Sequence, residues 1–141
     1  MMKIVIIDDS KKKQEVISNL LCKKYSDIEL FSFSSYEKGM SFIQRYYPEV
    51  NYLILDWNFP YYDGGVVHEK MGERILKECI NYDISIPTII CSTGPILVAG
   101  KYQNNIIGQI SFDDLESIDS LALKVQNHEK NVLIKKRKEV I

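Results

Sequence analysis

The chain has 141 residues, enough for one domain with a buried core and too few for two, and its 45% hydrophobic content is that of a globular protein. A formal net charge of -1 supplies no general positive field toward nucleic acid or anionic lipid, so only local contacts with such partners remain. The three cysteines, Cys22, Cys79 and Cys91, are odd in number, widely spaced and without metal-ligand spacing, and read as buried free thiols. Met1-Met2-Lys3 leads straight into a strand-like run, unlike a signal or transit peptide. No apolar stretch approaches the roughly 18 residues that span a bilayer. The expected location is cytoplasmic.

Strand-like and helix-like segments alternate, the pattern of crossover units on a parallel sheet. Residues 3 to 7 form the first strand, and Ser10 is placed to cap a helix over about residues 11 to 24 with Val16, Ile17, Leu20 and Leu21 on one face. Residues 28 to 33 alternate as a second strand, Ile28 and Leu30 against Phe31 and Phe33, with the weaker apolar character of an edge. A helix opens at Ser34 or Ser35, carries Tyr36, Met40, Ile43 and Tyr47 at helical spacing, and stops at Pro48.

The third strand is residues 51 to 55, followed by a turn-rich loop from Phe59 to Gly65 and a helix marked by Met71, Ile75, Leu76, Cys79 and Ile80. Ile86 to Cys91 is the fourth strand, and Pro95 is placed to start a short helix after it. Ile106 to Phe112 is the fifth strand. Asp113 or Asp114 caps a final helix running past residue 130, with Leu115, Ile118, Leu121, Ala122 and Val125 as its inner stripe and about residues 126 to 141 as an extension.

The acids carry the chemistry. Asp8 and Asp9 follow the first strand and Asp56 follows the third, positions where packing gives no reason for a carboxylate. If the two strands are neighbours, their carboxyl ends form one rim, where ligands of open α/β sheets collect. Three like charges there raise one another's pKa unless a cation sits among them, and the hard, oxygen-seeking Mg2+ is the natural one.

These acids, the run Asp56-Trp57-Asn58-Phe59-Pro60 with Asp63-Gly64, and the hydroxyl pair Ser92-Thr93 make the chain resemble the receiver domain of two-component response regulators over nearly its whole length. The resemblance implies a flavodoxin-like, doubly wound, five-stranded parallel sheet of order 2-1-3-4-5 with helices on both faces. It further implies that Asp56 is the phosphoacceptor and that Mg2+ is held by Asp8, Asp9, Asp56 and the backbone carbonyl of Asn58. A hydroxyl at the end of the fourth strand, Ser92 or Thr93 with slight preference for Ser92, would bind the phosphoryl group. The implied partners are a histidine kinase or phosphotransfer protein and a downstream protein. The chain would be no enzyme beyond phosphoryl transfer to its own aspartate.

Two departures stand against this pattern. The family's fifth-strand lysine is absent: Phe112 occupies its place, Asp113 that of the following proline, and Gln109 the aromatic switch position. Lys11 and Lys12 are candidate substitutes, against the preferred reading of them as a solvated cluster opening a helix. The stretch from Gly65 to Gly72 is longer than the usual approach to the third helix, which makes it either a gate or partner site, or a neutral insertion.

The leading expectation is a stand-alone receiver, and its nearest rival a phosphorylation-independent pseudo-receiver acting as an interaction module. A Mg2+-dependent phosphohydrolase using Asp56 or Asp8 is less favoured, since Asp8 is followed by Asp9-Ser10 rather than by an acid two residues on. A flavin carrier is disfavoured because acids stand where its phosphate loop belongs. His68 and His128 read as surface histidines, and the tyrosine pairs at 46–47 and 61–62 as packing. The basic tail Lys135-Lys136-Arg137-Lys138 complements a helix C-terminus, and nucleic acid is not an expected partner.

Overall fold

The apolar runs at 4–7, 52–55 and 89–91 are buried throughout, so each is covered on both sides. The computed structural model describes residues 1–112 and 115–140, with the side chains at 115–119, 122 and 140 excepted. Its elements in chain order are β1 (Met2–Ile7), α1 (Lys11–Lys24), β2 (Ile28–Phe33), α2 (Tyr36–Tyr46), β3 (Tyr52–Leu55), β4 (Phe59–Pro60), β5 (Val67–His68), α3 (Met71–Asn81), β6 (Thr88–Ser92), β7 (Ile106–Ser111) and α4 (Leu115–Val140).

Five strands form one sheet in the order β2-β1-β3-β6-β7, every neighbouring pair parallel. This is the expected 2-1-3-4-5 order, since β6 and β7 are the fourth and fifth strands of that sheet, and β2 lies at the edge as expected. Helices α2 and α3 cover one face, where Val5, Ile7, Leu53, Leu55 and Ile90 meet Met40, Ile43, Ile75 and Leu76. On the other face Ile4, Ile6, Ile54, Ile89 and Ile110 pack with Ile17 and Leu21 of α1 and Leu121 and Val125 of α4. Alternate residues of one strand thus serve opposite layers, the period-two geometry of a strand.

Helix starts follow the capping serines. Ser10 accepts a hydrogen bond from the Lys13 amide at 3.2 Å and Ser35 one from the Lys38 amide at 3.3 Å, each satisfying a backbone donor that the first turn leaves free. Pro48 lies in a 3-10 turn, Tyr47–Glu49, that ends α2.

Several details differ from expectation. The fourth sheet strand is Thr88–Ser92 rather than 86–91, because Pro87 has no amide to give the ladder and its carbonyl instead accepts from Leu53. No α-helix starts at Pro95. A 3-10 helix at Gly100–Asn105 is the helical structure between β6 and β7 among the described residues, consistent with Gly94, Gly100 and the paired asparagines lowering helical preference. Phe59-Pro60 and Val67-His68, placed in a loop from the sequence, form a small antiparallel ribbon. Tyr47, Ile80 and Cys22 are exposed; in the case of Tyr47 the helix ends one residue earlier. Cys79 and Cys91 are buried as expected, and burial pushes each thiol up to about 12. Asp113 and Asp114 lie outside the described residues, as do the side chains of Leu115, Ile118 and Ala122.

Candidate functional site at the carboxyl rim of the sheet

Register builds the site. Ile4 pairs with Tyr52 and Ile7 with Leu55, so the residues that follow, Asp8 and Asp56, leave the sheet side by side, and the Asp56 amide donates to the Ile7 carbonyl at 2.9 Å. Asp8, Asp9 and Asp56 each present a carboxylate oxygen, all within 4.8 Å of one another. Asp8 and Asp56 are buried at 2% and 8% exposure, whereas Asp9 is exposed. One solvent-facing acid thus stands beside two buried ones.

Burial, the neighbouring Asp8 and incomplete compensation from Lys13 raise the Asp56 carboxyl to about 6. Burial likewise raises Asp8, against the opposing pull of Lys13 and of the Ser10 amide. The Trp57 amide donates to Asp56 Oδ1 at 2.8 Å. Asp8 Oδ2 is buried and its charge is met by the Lys13 ammonium at 2.8 Å. The donor set is all oxygen, as a hard divalent ion requires, so these residues fit a magnesium-type cation.

One residue of this cluster was missed in the sequence. The cation that meets the acids is neither Lys11 nor Lys12, both exposed, but Lys13, which is 8% exposed. Its Nζ lies 2.8 Å from Asp8 Oδ2 and 3.4 Å from Asp56 Oδ1. It also stands 5.3 Å from the centroid of the Phe112 ring. The signal was present: Lys13, Ile17 and Leu21 stand four apart on the buried face of α1, so the inner stripe begins on a charged residue.

Local structure holds Lys13 there. Ser10 caps its amide, the Ser10 amide donates to Asp8 Oδ1 at 2.9 Å, and the Gln14 side-chain amide donates to the carbonyls of Asp8 and Phe33. The first turn of α1 is thereby tied to the ends of both β1 and β2. A cation in that turn opposes the helix dipole, and the two carboxylates compensate for it.

The opposite half of the rim is built by β6 and β7. Ser92 is buried and its Oγ donates to the Gly94 carbonyl at 3.1 Å, while Thr93 is exposed. The Phe112 amide donates to the Ser92 carbonyl at 2.7 Å. Gln109 is exposed and, with Ser92, Pro95 and Ile96, borders a surface cavity of about 240 Å³.

Asn58 follows β3 and Asp56, and its side-chain oxygen accepts from the Lys70 amide at 3.0 Å, closing the ribbon stretch onto α3. Tyr61 of that stretch stacks on Tyr36, ring centroids 5.1 Å apart, with the Arg74 guanidinium over both rings. His68 is exposed on β5. His128 does not stand free at the surface. Its Nδ1 is 2.7 Å from the Tyr52 hydroxyl, which donates to Glu129 Oε1 at 2.6 Å, at the amino end of the sheet and far from the acids in chain terms.

No protein-family model and no curated protein sequence matches this chain. Solved structures do match. The signal receiver domain of a Luxo repressor protein from Vibrio parahaemolyticus superposes with a TM-score of 0.74 at 17% identity, covering 98% of this chain and 97% of that one. The response regulatory domain of protein mrkE from Klebsiella pneumoniae gives 0.70 at 19% identity, covering 92% and 99%. The manganese-bound form of response regulator Rcp1 gives 0.65 at 22% identity, covering 86% and 89%. The chain therefore has the fold of response-regulator receiver domains.

Proposed function

We propose that this chain is a receiver of two-component signalling that accepts a phosphoryl group on Asp56, in a single domain spanning residues 1–141. The observation that carries the reading is the convergence of three carboxylates, from two adjacent strand ends, within 4.8 Å of one another on the fold that receivers share. Asp8, Asp9, Asp56 and the Asn58 carbonyl would hold Mg2+; the Asn58 side chain is committed to Lys70, which leaves its main-chain oxygen as donor. When bound, the metal neutralises charge on the acceptor and phosphoryl oxygens.

The chain's own residues do the rest. An Asp56 carboxylate oxygen attacks the phosphorus of a phosphohistidine, or of a small acyl phosphate, in line with the leaving group; the new O–P bond forms as the old bond to phosphorus breaks, and the leaving group departs with that electron pair. Asp56 Oδ1 is oriented by the Trp57 amide, so the nucleophile needs no rearrangement. Ser92, buried at the strand end, has a hydroxyl that can turn from Gly94 to a phosphoryl oxygen. The phosphorylated chain signals by protein contact with a downstream partner in the cytoplasm, its donor being a histidine kinase or phosphotransfer protein. No helix among the described residues is long and apolar enough to cross a membrane.

A second reading, a phosphorylation-independent interaction module, draws on Phe112, exposed Gln109 and the absence of an α-helix between β6 and β7 among the described residues. Incubation with acetyl phosphate and magnesium, followed by intact mass, separates the two. A single labile phosphoryl adduct that Asp56→Asn abolishes supports the receiver; a native chain that stays unmodified leaves the interaction module.

A further inference from the structure

We infer that Lys13 is the cation that pairs with the phosphoryl group, supplied from the first turn of α1 in place of the lysine that β7 lacks; the inference rests on the phosphoacceptor reading above. Three independent observations converge on it. Lys13 is buried, which a lysine tolerates only when its charge is met. Its ammonium bridges the two buried carboxylates, 2.8 Å from Asp8 and 3.4 Å from Asp56. It stands near the ring of Phe112, which lies just past the end of β7, so the residue in the expected lysine's place supports the substitute, as an aromatic face does for a cation.

The same distances bear on what the ammonium would do once the site is filled. At rest Lys13 lies closer to Asp8 than to Asp56, which it approaches on the Oδ1 side, the oxygen already held by the Trp57 amide. Were a divalent ion held among the acids, Asp8 would no longer need the ammonium, and Lys13 would be free to pair with negative charge on Asp56. Its backbone stays fixed by Ser10 and the adjacent Gln14, so only the side chain moves. Lys11 and Lys12, exposed on the same turn, cannot replace it without turning the helix.

Trp57 is the single tryptophan, buried and next to Asp56, so its fluorescence reports both metal and phosphoryl mimic. Magnesium and then beryllofluoride are titrated into the full chain, Lys13→Gln, and the double variant Lys13→Gln with Phe112→Lys. The expected result is a split. Lys13→Gln binds magnesium at least as tightly as the native chain, having lost a competitor for Asp8, and binds beryllofluoride about tenfold or more weakly, the size of one charge-assisted hydrogen bond. Recovery of beryllofluoride binding in the double variant strengthens the assignment, since it returns the cation to the fifth strand. Unchanged beryllofluoride affinity in Lys13→Gln overturns the inference and leaves the receiver reading standing. Parallel loss of magnesium and beryllofluoride marks a purely structural lysine and also overturns it. A native chain with no beryllofluoride response removes the receiver reading, and the inference with it.

Discussion

The two halves of the carboxyl rim were built by different rules. On the β1–β3 side the functional atoms are set by strand register: residues 7 and 55 pair, so the acids that follow must sit together. On the β6–β7 side the strands also pair in register, Ser92 with Ser111, yet the residue delivered next is Phe112, and the positive charge enters from a helix that packs across the sheet. The contrast teaches that a site's charge balance is constrained more tightly than the element that supplies each charge. Two buried carboxylates need a cation, and any neighbouring element able to reach them can provide it.

The acid half rests on close backbone contact. A Cβ on Gly72 would meet the Asp56 carbonyl oxygen at 2.5 Å and the Trp57 Cα at 3.1 Å, atoms that cannot step aside. Gly72→Ala is therefore expected to cost roughly 2–3 kcal/mol in denaturant unfolding, toward the upper end of overpacking penalties, and to weaken the magnesium response. Wild-type stability in Gly72→Ala would mean that the carboxyl end of β3 is not held by α3.

Charge gives the next largest effect. In metal-free buffer the folded-state pKa of Asp56, about 6, lies above the usual carboxylate value of 3.8. A raised acid binds its proton more tightly when folded, so its contribution favours folding below about pH 4 and is lost as pH rises through 6. Asp56→Asn should thus be more stable than the native chain at pH 7.5, by on the order of 2 kcal/mol, with the gap closing toward pH 4. Unfolding midpoints at the two pH values measure it; a pH-independent difference would show that Lys13 fully compensates Asp56.

These same residues show how much was legible in the sequence. The alternation of strands and helices, the edge strand and the acids at two strand ends were legible in local patterns, whereas the sheet order that makes those strands neighbours and gathers Asp8, Asp9 and Asp56 came from the family resemblance. Lys13 was less legible because a lysine opening an amphipathic helix has a commonplace solvated explanation. Only its register with Ile17 and Leu21 distinguishes it from Lys11 and Lys12. The missing helix after β6 and the β4–β5 ribbon were hidden for another reason, that short elements are decided by tertiary contacts such as Asn58 with Lys70 rather than by propensity. The hydrogen bond of half-buried His128 was not legible because its partner, Tyr52, is 76 residues away.

That distant contact offers a control at the other end of the sheet. Tyr52→Phe removes the hydroxyl shared by His128 and Glu129 and should cost about 1.5 kcal/mol, the lower end for a hydrogen bond to a charged group. It should leave beryllofluoride binding unchanged, and altered binding would mean that α4 couples to the rim.

The smallest effect is expected on the remodelled side. A Cβ on Gly108 of β7 meets the flexible side chain of Lys124 rather than backbone, so Gly108→Ala should change stability by less than about 1 kcal/mol. A cost equal to that of Gly72→Ala would erase the difference drawn between the two halves.

The most direct test is to locate the phosphoryl group itself. Treating the chain with acetyl phosphate and magnesium, reducing the acyl phosphate with borohydride and mapping peptides by mass should find homoserine at position 56 and nowhere else. An unreduced Asp56 in a chain that carries label at another residue, or no label at all, would contradict the assignment of this rim as a phosphoacceptor site.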